Sequence, residues 1–309
     1  MLSKKMLITG CGGMLGNAIY PFFLTRYETV LATDRDVNED WLMPLDVRDD
    51  RKLGEVFEEY RPDVVVHLAA ETSLEYCETY TDIAEATNAR ATRTIAELCR
   101  KREATLIYVS TAGVFDGSKE GEYIETDRPN PIMVYGKTKF DGELYASKHC
   151  EKTFVVRAGW MMGGGRKKEK KFVYKILQQI GSGQREIFAV DDLWGTPTYT
   201  NDFAQTLFLL METENYGTYH MVCGGKGTRY DVAREILEIC NRTDIKLTRV
   251  GSEFFKEEYF VTRPRSEMMY NHNLTRIGCN HMRSWRDALH AYIKNDFHDY
   301  INNNGGDNV

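Results

Sequence analysis

The chain has 309 residues, long for a single core, and its 42% hydrophobic and 28% charged residues fit one large α/β domain or a main domain with a smaller lobe. A formal net charge of −6 gives no general attraction to nucleic acid or anionic membranes, so an anionic ligand has to meet locally arranged donors. Seven cysteines without framework-like spacing, and no apolar run of about 18 residues, predict a cytoplasmic protein with reduced thiols and no nucleic-acid or membrane partner.

In chain order, the first apolar run is Met6-Leu-Ile-Thr9, followed by a glycine loop and a helical pattern from Met14 to Arg26. Further short runs rich in β-branched residues begin at Val30, Val64, Leu106 and Phe154, separated by helical patterns over 53–60, 83–100 and 135–148. Each run is nearly continuous rather than alternating, as expected of strands covered on both faces. The alternation predicts an α/β fold built on a doubly wound parallel sheet of the Rossmann type.

The loop reads Gly10-Cys-Gly12-Gly13-Met-Leu-Gly16 and fits Gly-x-x-Gly-x-x-Gly at Gly10, Gly13 and Gly16. Glycine permits a tight turn and close approach of backbone to a pyrophosphate at the start of a helix. The second strand ends in Asp34, eighteen residues beyond Gly16, where a carboxylate suits the adenosine ribose hydroxyls. Arg35 beside it could hold a 2′-phosphate, which leaves NADH and NADPH both open as cofactor. Met14, Leu15, Asp46, Val47, Leu68, Ala69 and Ala70 complete the expected cofactor contacts, with the small alanines allowing backbone to approach the nicotinamide end.

Thr111 ends the fourth long run, and Tyr135 and Lys139 lie four apart on the helix that follows. Hydride addition to a carbonyl creates an alkoxide, so a site beside a nicotinamide needs a proton donor and a second donor to the same oxygen. Tyr135 is the expected donor, a Lys139 ammonium would stabilise the phenolate left behind, and Thr111 supplies the second hydroxyl. His67, inside a buried run, reads as a satisfied core histidine, and no cysteine cluster has metal-ligand spacing.

Beyond about residue 160 the pattern loosens into a basic stretch, Arg166 to Lys171, and helical patterns over 172–180, 203–211, 231–240 and 285–297. The expected organisation is a Rossmann domain over 1–160 and a smaller α/β substrate lobe over 161–301, some segments of which return to the core. Residues 302–309 are polar and expected to be a flexible tail.

The glycine loop, "HLAAETSLEYCE" (67–78), "VSTAGVFDG" (109–117), "YGKTK" (135–139), "DLWGTPTYTND" (192–202) and "RPRSEMM" (263–269) together resemble the extended short-chain dehydrogenases/reductases. Within them the chain is most similar to the dTDP-4-dehydrorhamnose reductase family, over almost its whole length. The resemblance implies NAD(P)H-dependent reduction of a nucleoside-diphosphate 4-keto-6-deoxyhexose, with Thr111, Tyr135 and Lys139 as triad and Lys139 also touching the nicotinamide ribose. It implies a structural role for Asn88, and it allows a homodimer without a motif that demands a metal-assisted one. The chain departs from the family's Ser-Thr-Asp-Tyr at Ser110-Thr111-Ala112-Gly113, where an acidic and an aromatic side chain are missing.

A sugar-nucleotide substrate carries a pyrophosphate, for which Arg263 is the first candidate partner and the 166–171 run a second. Trp160 and Tyr199 are expected to bound sugar or base by stacking, and Glu71 and Thr72 to bond sugar hydroxyls. Two other readings remain at this stage: a cofactor-binding regulatory subunit resembling the β subunit of methionine adenosyltransferase, and a sugar-nucleotide epimerase.

Overall fold

Seven strands, β1 (Leu2–Thr9), β2 (Tyr27–Asp34), β3 (Met43–Pro44), β4 (Val64–His67), β5 (Thr105–Thr111), β6 (Thr153–Ala158) and β7 (Gly217–His220), form one parallel sheet. In the computed structural model, which describes residues 1–302, their order is β7-β6-β5-β4-β1-β2-β3. The tail expectation concerns 303–309, outside the described residues, and Asn302, which ends a short helix, His298–Asn302.

Alternate residues along each central strand enter two different cores. Met6 and Ile8 of β1, Val64 and Val66 of β4, Ile107 of β5 and Phe154 and Val156 of β6 share one cluster. Leu7, Val65, Leu106, Tyr108 and Val155 share the other. A strand buried on both faces has no polar side, which is why these runs read as unbroken apolar segments.

The first cluster is covered by α1 (Met14–Leu24) and by helices from the later half, and the second by α2 (Asp50–Tyr60), α4 (Ala91–Arg102) and α5 (Val134–His149). A short helix α3 (Leu74–Thr79) precedes α4 in the chain. Between Thr81–Glu85 and α4 lies one π turn, Ala86–Arg90, a local widening that often marks a functional position. Asn88, buried in that turn, accepts the Glu71 N–H at 2.8 Å and donates to the Glu71 carbonyl at 3.0 Å and the Thr138 hydroxyl at 3.1 Å. Its side chain thus ties the loop after β4 to α5, a structural role as the resemblance implied.

Chain from beyond residue 160 returns to the main layer. Strand β7 pairs with β6, and α7 (Thr200–Met211) joins the same core as α1. The remaining later segments form three small sheets: Trp160–Met162 with Pro197–Tyr199, Glu186–Val190 with Lys246–Val250, and Trp194–Gly195 between Gly227–Thr228 and Ser266–Glu267. Helices α6 (Phe172–Gly181), α8 (Arg229–Ile239) and α9 (Trp285–Asp296) accompany them. No helix among the described residues is long and apolar enough to cross a membrane.

Candidate active site

Because every strand of the sheet is parallel, Thr9, Asp34, His67, Thr111 and Ala158 all finish at one edge, with the strand order reversing about β1. Such a reversal opens a crevice at the carboxyl ends. A cavity of about 1310 Å³ lies there, lined by every individually expected site residue except Tyr199 and by part of the 166–171 run.

At one end of the cavity, the glycines of the loop do three different jobs. Gly10 has φ +71, and a Cβ on it would fall 2.3 Å from the Ala69 nitrogen, so only glycine lets β1's exit pass β4's. At Gly16 a Cβ would fall 2.1 Å from the Cys11 carbonyl, so this glycine lets α1 pack on the loop. Around Gly13 a Cβ would meet nothing nearer than 3.7 Å, leaving backbone open to the cavity at the start of α1. The set fits a dinucleotide pyrophosphate against a helix N-terminus.

Asp34 accepts the Gly12 N–H at 2.8 Å and the Asp36 N–H at 3.0 Å, which fixes its carboxylate beside the loop. Among the described residues the ion pair of Arg35 is with Asp36, at 3.5 Å, on the exposed side. Asp46 is held by Arg48 through two contacts of 2.9 and 3.1 Å to its Nε, and that pairing keeps the carboxyl below its ordinary range.

Lys168 went unnoticed as an individual. Its Nζ donates to the Gly12 carbonyl at 3.0 Å and to Asn38 Oδ1 at 2.7 Å, and pairs with Glu39 at 2.8 Å, clamping the glycine loop from the far half of the chain. Three successive glycines with positive φ, Gly163, Gly164 and Gly165, bring it there. The basic run therefore does not act as one rim: Arg166 pairs with Asp299, Lys167 and Lys168 with Glu39, and Lys170 and Lys171 border the cavity.

The three expected catalytic side chains all line the cavity. Thr111 closes β5, with its hydroxyl accepting the Gly113 N–H at 3.1 Å, and Tyr135 and Lys139 share a face of α5. Desolvation by the cavity walls pushes the Tyr135 phenol up to about 12, with the Thr111 hydroxyl acting the other way. Lys139 is driven down to about 7 by burial, against the pull of Glu143. Burial dominates over the Thr111 hydroxyl, and Tyr135 stays protonated. A protonated phenol is what a proton donor requires.

Glu71 lines the cavity, and its Oε1 accepts the N–H groups of Thr72 and Ser73 at 3.0 and 3.1 Å. The carboxylate thus shapes its own loop, and Thr72 lines the cavity beside it. His67 is satisfied by Thr9 at 2.7 Å and Thr92 at 3.2 Å, and burial holds it neutral, its pKa lowered to about 3.

Tyr199, expected to stack on sugar or base, does not line the cavity. It is 1% exposed, packs against Tyr292 at 5.6 Å between ring centroids and takes a hydrogen bond from Asn201, so it cannot stack on a ligand. The reason is register: Pro197–Tyr199 is a fully buried strand beside Trp160–Met162.

Trp160 does line the cavity, its Nε1 donating to Glu267 at 2.8 Å. Arg263 lines it too, but its guanidinium is engaged by Glu75 at 2.8 Å and the Val261 carbonyl at 2.9 Å. The residue missed from the sequence is Arg229, stacked 3.9 Å over Trp160 and 4.9 Å from Phe172. Among the described residues no carboxylate lies within ion-pair distance of it, and burial lowers its pKa to about 10. The signal available was the Thr228-x-x-Asp231 capping box, which puts Arg229 on the first turn of α8.

The motifs that carried the resemblance also meet in space. Asp116 accepts from Ser118, Tyr123 and Asn130, shaping the loop after β5 and holding its carboxyl well below the usual range. A Cβ on Gly117, with φ +78, would fall 2.7 Å from the Arg265 nitrogen, so the "VFDG" loop lies directly on the "RPRS" segment.

The RmlD substrate binding domain family model matches residues 4–297. The chain is 29% identical over 291 residues to a dTDP-4-keto-6-deoxy-D-glucose reductase of Streptomyces niveus, covering 93% of this chain and 96% of that one. It is also 29% identical to methionine adenosyltransferase 2 subunit beta of Danio rerio, over 77% of this chain and 74% of that protein. Among solved structures, dTDP-4-dehydrorhamnose reductase of Bacillus anthracis in complex with NADP superposes with a TM-score of 0.86 at 28% identity, covering 95% and 99% of the two chains.

Proposed function

Since the chain belongs to the RmlD substrate binding domain family, we propose that it is a sugar-nucleotide reductase acting on a nucleoside-diphosphate 4-keto-6-deoxyhexose. The specific reaction we infer is conversion of dTDP-4-dehydro-L-rhamnose to dTDP-L-rhamnose. The observation that carries this reading is that Thr111, Tyr135 and Lys139 line the same cavity as the glycine loop.

NADH or NADPH would be held by Gly10, Gly13, Gly16 and Asp34, and when bound would supply the hydride. Tyr135 gives its phenol proton to the oxygen that becomes the alcohol, while the Thr111 hydroxyl donates to the same oxygen. The Lys139 ammonium then offsets the negative charge left on the phenol. Arg229, with Trp160 under its guanidinium and no ion pair among the described residues, the nearby Glu267 and Glu169 carboxylates favouring its charge from farther off, is the proposed partner of the substrate's diphosphate.

Incubation with NADH and NADPH against a panel of nucleoside-diphosphate 4-ketosugars, followed by nicotinamide absorbance, tests the reading. Substrate-dependent loss of absorbance supports it. Dinucleotide binding without turnover, together with a stable partner enzyme, would favour the regulatory role suggested by the likeness to the methionine adenosyltransferase subunit.

A further inference from the structure

The ammonium of Lys139 lacks the neighbour a buried charge ordinarily has. The residue is 2% exposed, and no hydrogen bond or ion pair to its Nζ is found among the described residues. Glu143, one turn along α5, is already committed: Arg157 donates to it at 2.9 and 2.7 Å and Ser110 at 2.5 Å. What does face Lys139 is the ring of Tyr108, with Nζ 4.1 Å from its centroid.

That ring is fixed in place. Tyr108 is fully buried on β5, and its hydroxyl, donating to main-chain carbonyls, lies 3.2 Å from Asn88 O in the π turn and 3.1 Å from Lys139 O. The hydroxyl fits where a Cβ on Gly142 would fall, 2.2 Å away, so α5 carries a glycine where the tyrosine reaches it. The ring face is thereby presented to the amine of the very residue whose carbonyl its hydroxyl faces.

We propose that Tyr108 is a positioning residue, whose ring face holds the Lys139 amine charged and in place at the cavity. The attraction of a cation to a ring face is worth most where water is excluded. Burial drives Lys139 down to about 7, so a contribution of roughly one pH unit decides whether it is an ammonium at neutral pH. The other groups around it do not replace the ring. His67 on β4 is neutral, Glu143 is shared with Arg157 and Ser110, Tyr135 is protonated, and Asp141 lies on the more exposed side of α5. The catalytic meaning of this shelf rests on the reductase reading, but its existence does not.

The test compares Tyr108→Phe with the full-length protein carrying pentafluorophenylalanine at position 108. The first keeps the ring and loses the hydroxyl, and the second also reverses the charge distribution of the ring face at nearly unchanged shape. Lys139 is titrated by NMR in protein labelled with 13C at the lysine ε-carbon, its signal assigned by its loss in Lys139→Met. The expected result is a midpoint near wild type in Tyr108→Phe and one lower by roughly one pH unit with the fluorinated ring. Equal midpoints for the two rings would overturn the proposal. So would an equal fall in both, which would assign the effect to the hydroxyl. A shift as expected in a protein that reduces no ketosugar leaves the shelf standing and removes the reductase reading instead.

Discussion

Nη2 of Arg263 stands 2.8 Å from Oε1 of Glu75, joining positions 188 residues apart at the wall of the cavity. Both side chains are about a quarter exposed, so solvent screens the pair and its contribution to stability is about 1 kcal/mol or less. Glu75→Gln is expected to move the thermal midpoint little. Arg229→Ala, which removes a guanidinium with no ion pair among the described residues, is expected to raise KM for the sugar nucleotide about 10- to 100-fold, and Arg263→Ala to raise it less. Steady-state kinetics of both variants decides the ranking.

Tyr135→Phe keeps the ring and removes the proton. The expected loss in kcat is about 10²- to 10⁴-fold with the cofactor's dissociation constant little changed, read by single-turnover kinetics and fluorescence titration.

The pH dependence follows from Lys139. Its pKa is lowered to about 7, so it is an ammonium below that value and a neutral amine above it, whereas Tyr135, raised to about 12, stays protonated throughout. The value of kcat/KM for the reduced cofactor is therefore expected to fall as pH rises through about 7, since this ratio reports groups of the free enzyme. In Lys139→Met that limb should vanish.

Asp34 is held toward the glycine loop by two backbone N–H groups, and the only cation of its own strand end, Arg35, faces Asp36. A 2′-phosphate would meet that carboxylate, so Asp34→Ala is expected to raise the preference for NADPH over NADH by about tenfold or more, measured as a ratio of kcat/KM.

Glu143 and Arg157 form an ion pair with side chains 5% and 4% exposed. Removing one partner strands the other charge in the core, at a cost of about 3–5 kcal/mol. Arg157→Met is expected to lower the unfolding free energy by that amount, measured by urea denaturation.

Much of the site was legible because its chemistry depends on spacing along the chain. Gly10, Gly13 and Gly16, then Asp34, then Tyr135 with Lys139, are each fixed by a strand end or a helical turn, and periodicity reveals both. What escaped depends on distant segments meeting. Lys168 reaches Gly12 across 156 residues, and nothing in its local composition separates it from its solvated neighbours. Only packing shows that Glu75 engages Arg263 while Trp160 stacks under Arg229. Tyr199 failed for the same reason, since a three-residue strand gives no periodicity from which to tell its buried face. The shift of Tyr135 is upward because enclosure of the phenol, invisible in one dimension, outweighs the opposing Thr111 hydroxyl.

The central claim concerns one atom transferred. Reaction of the protein with a nucleoside-diphosphate 4-keto-6-deoxyhexose and NADH deuterated at nicotinamide carbon 4, using each deuterated face in turn, followed by mass spectrometry and NMR of the sugar, reads it directly. Hydride transfer by this protein predicts one deuterium at sugar carbon 4 from one face only, with label transfer suppressed in Tyr135→Phe. Deuterium retained entirely on the nicotinamide with the intact protein would contradict it.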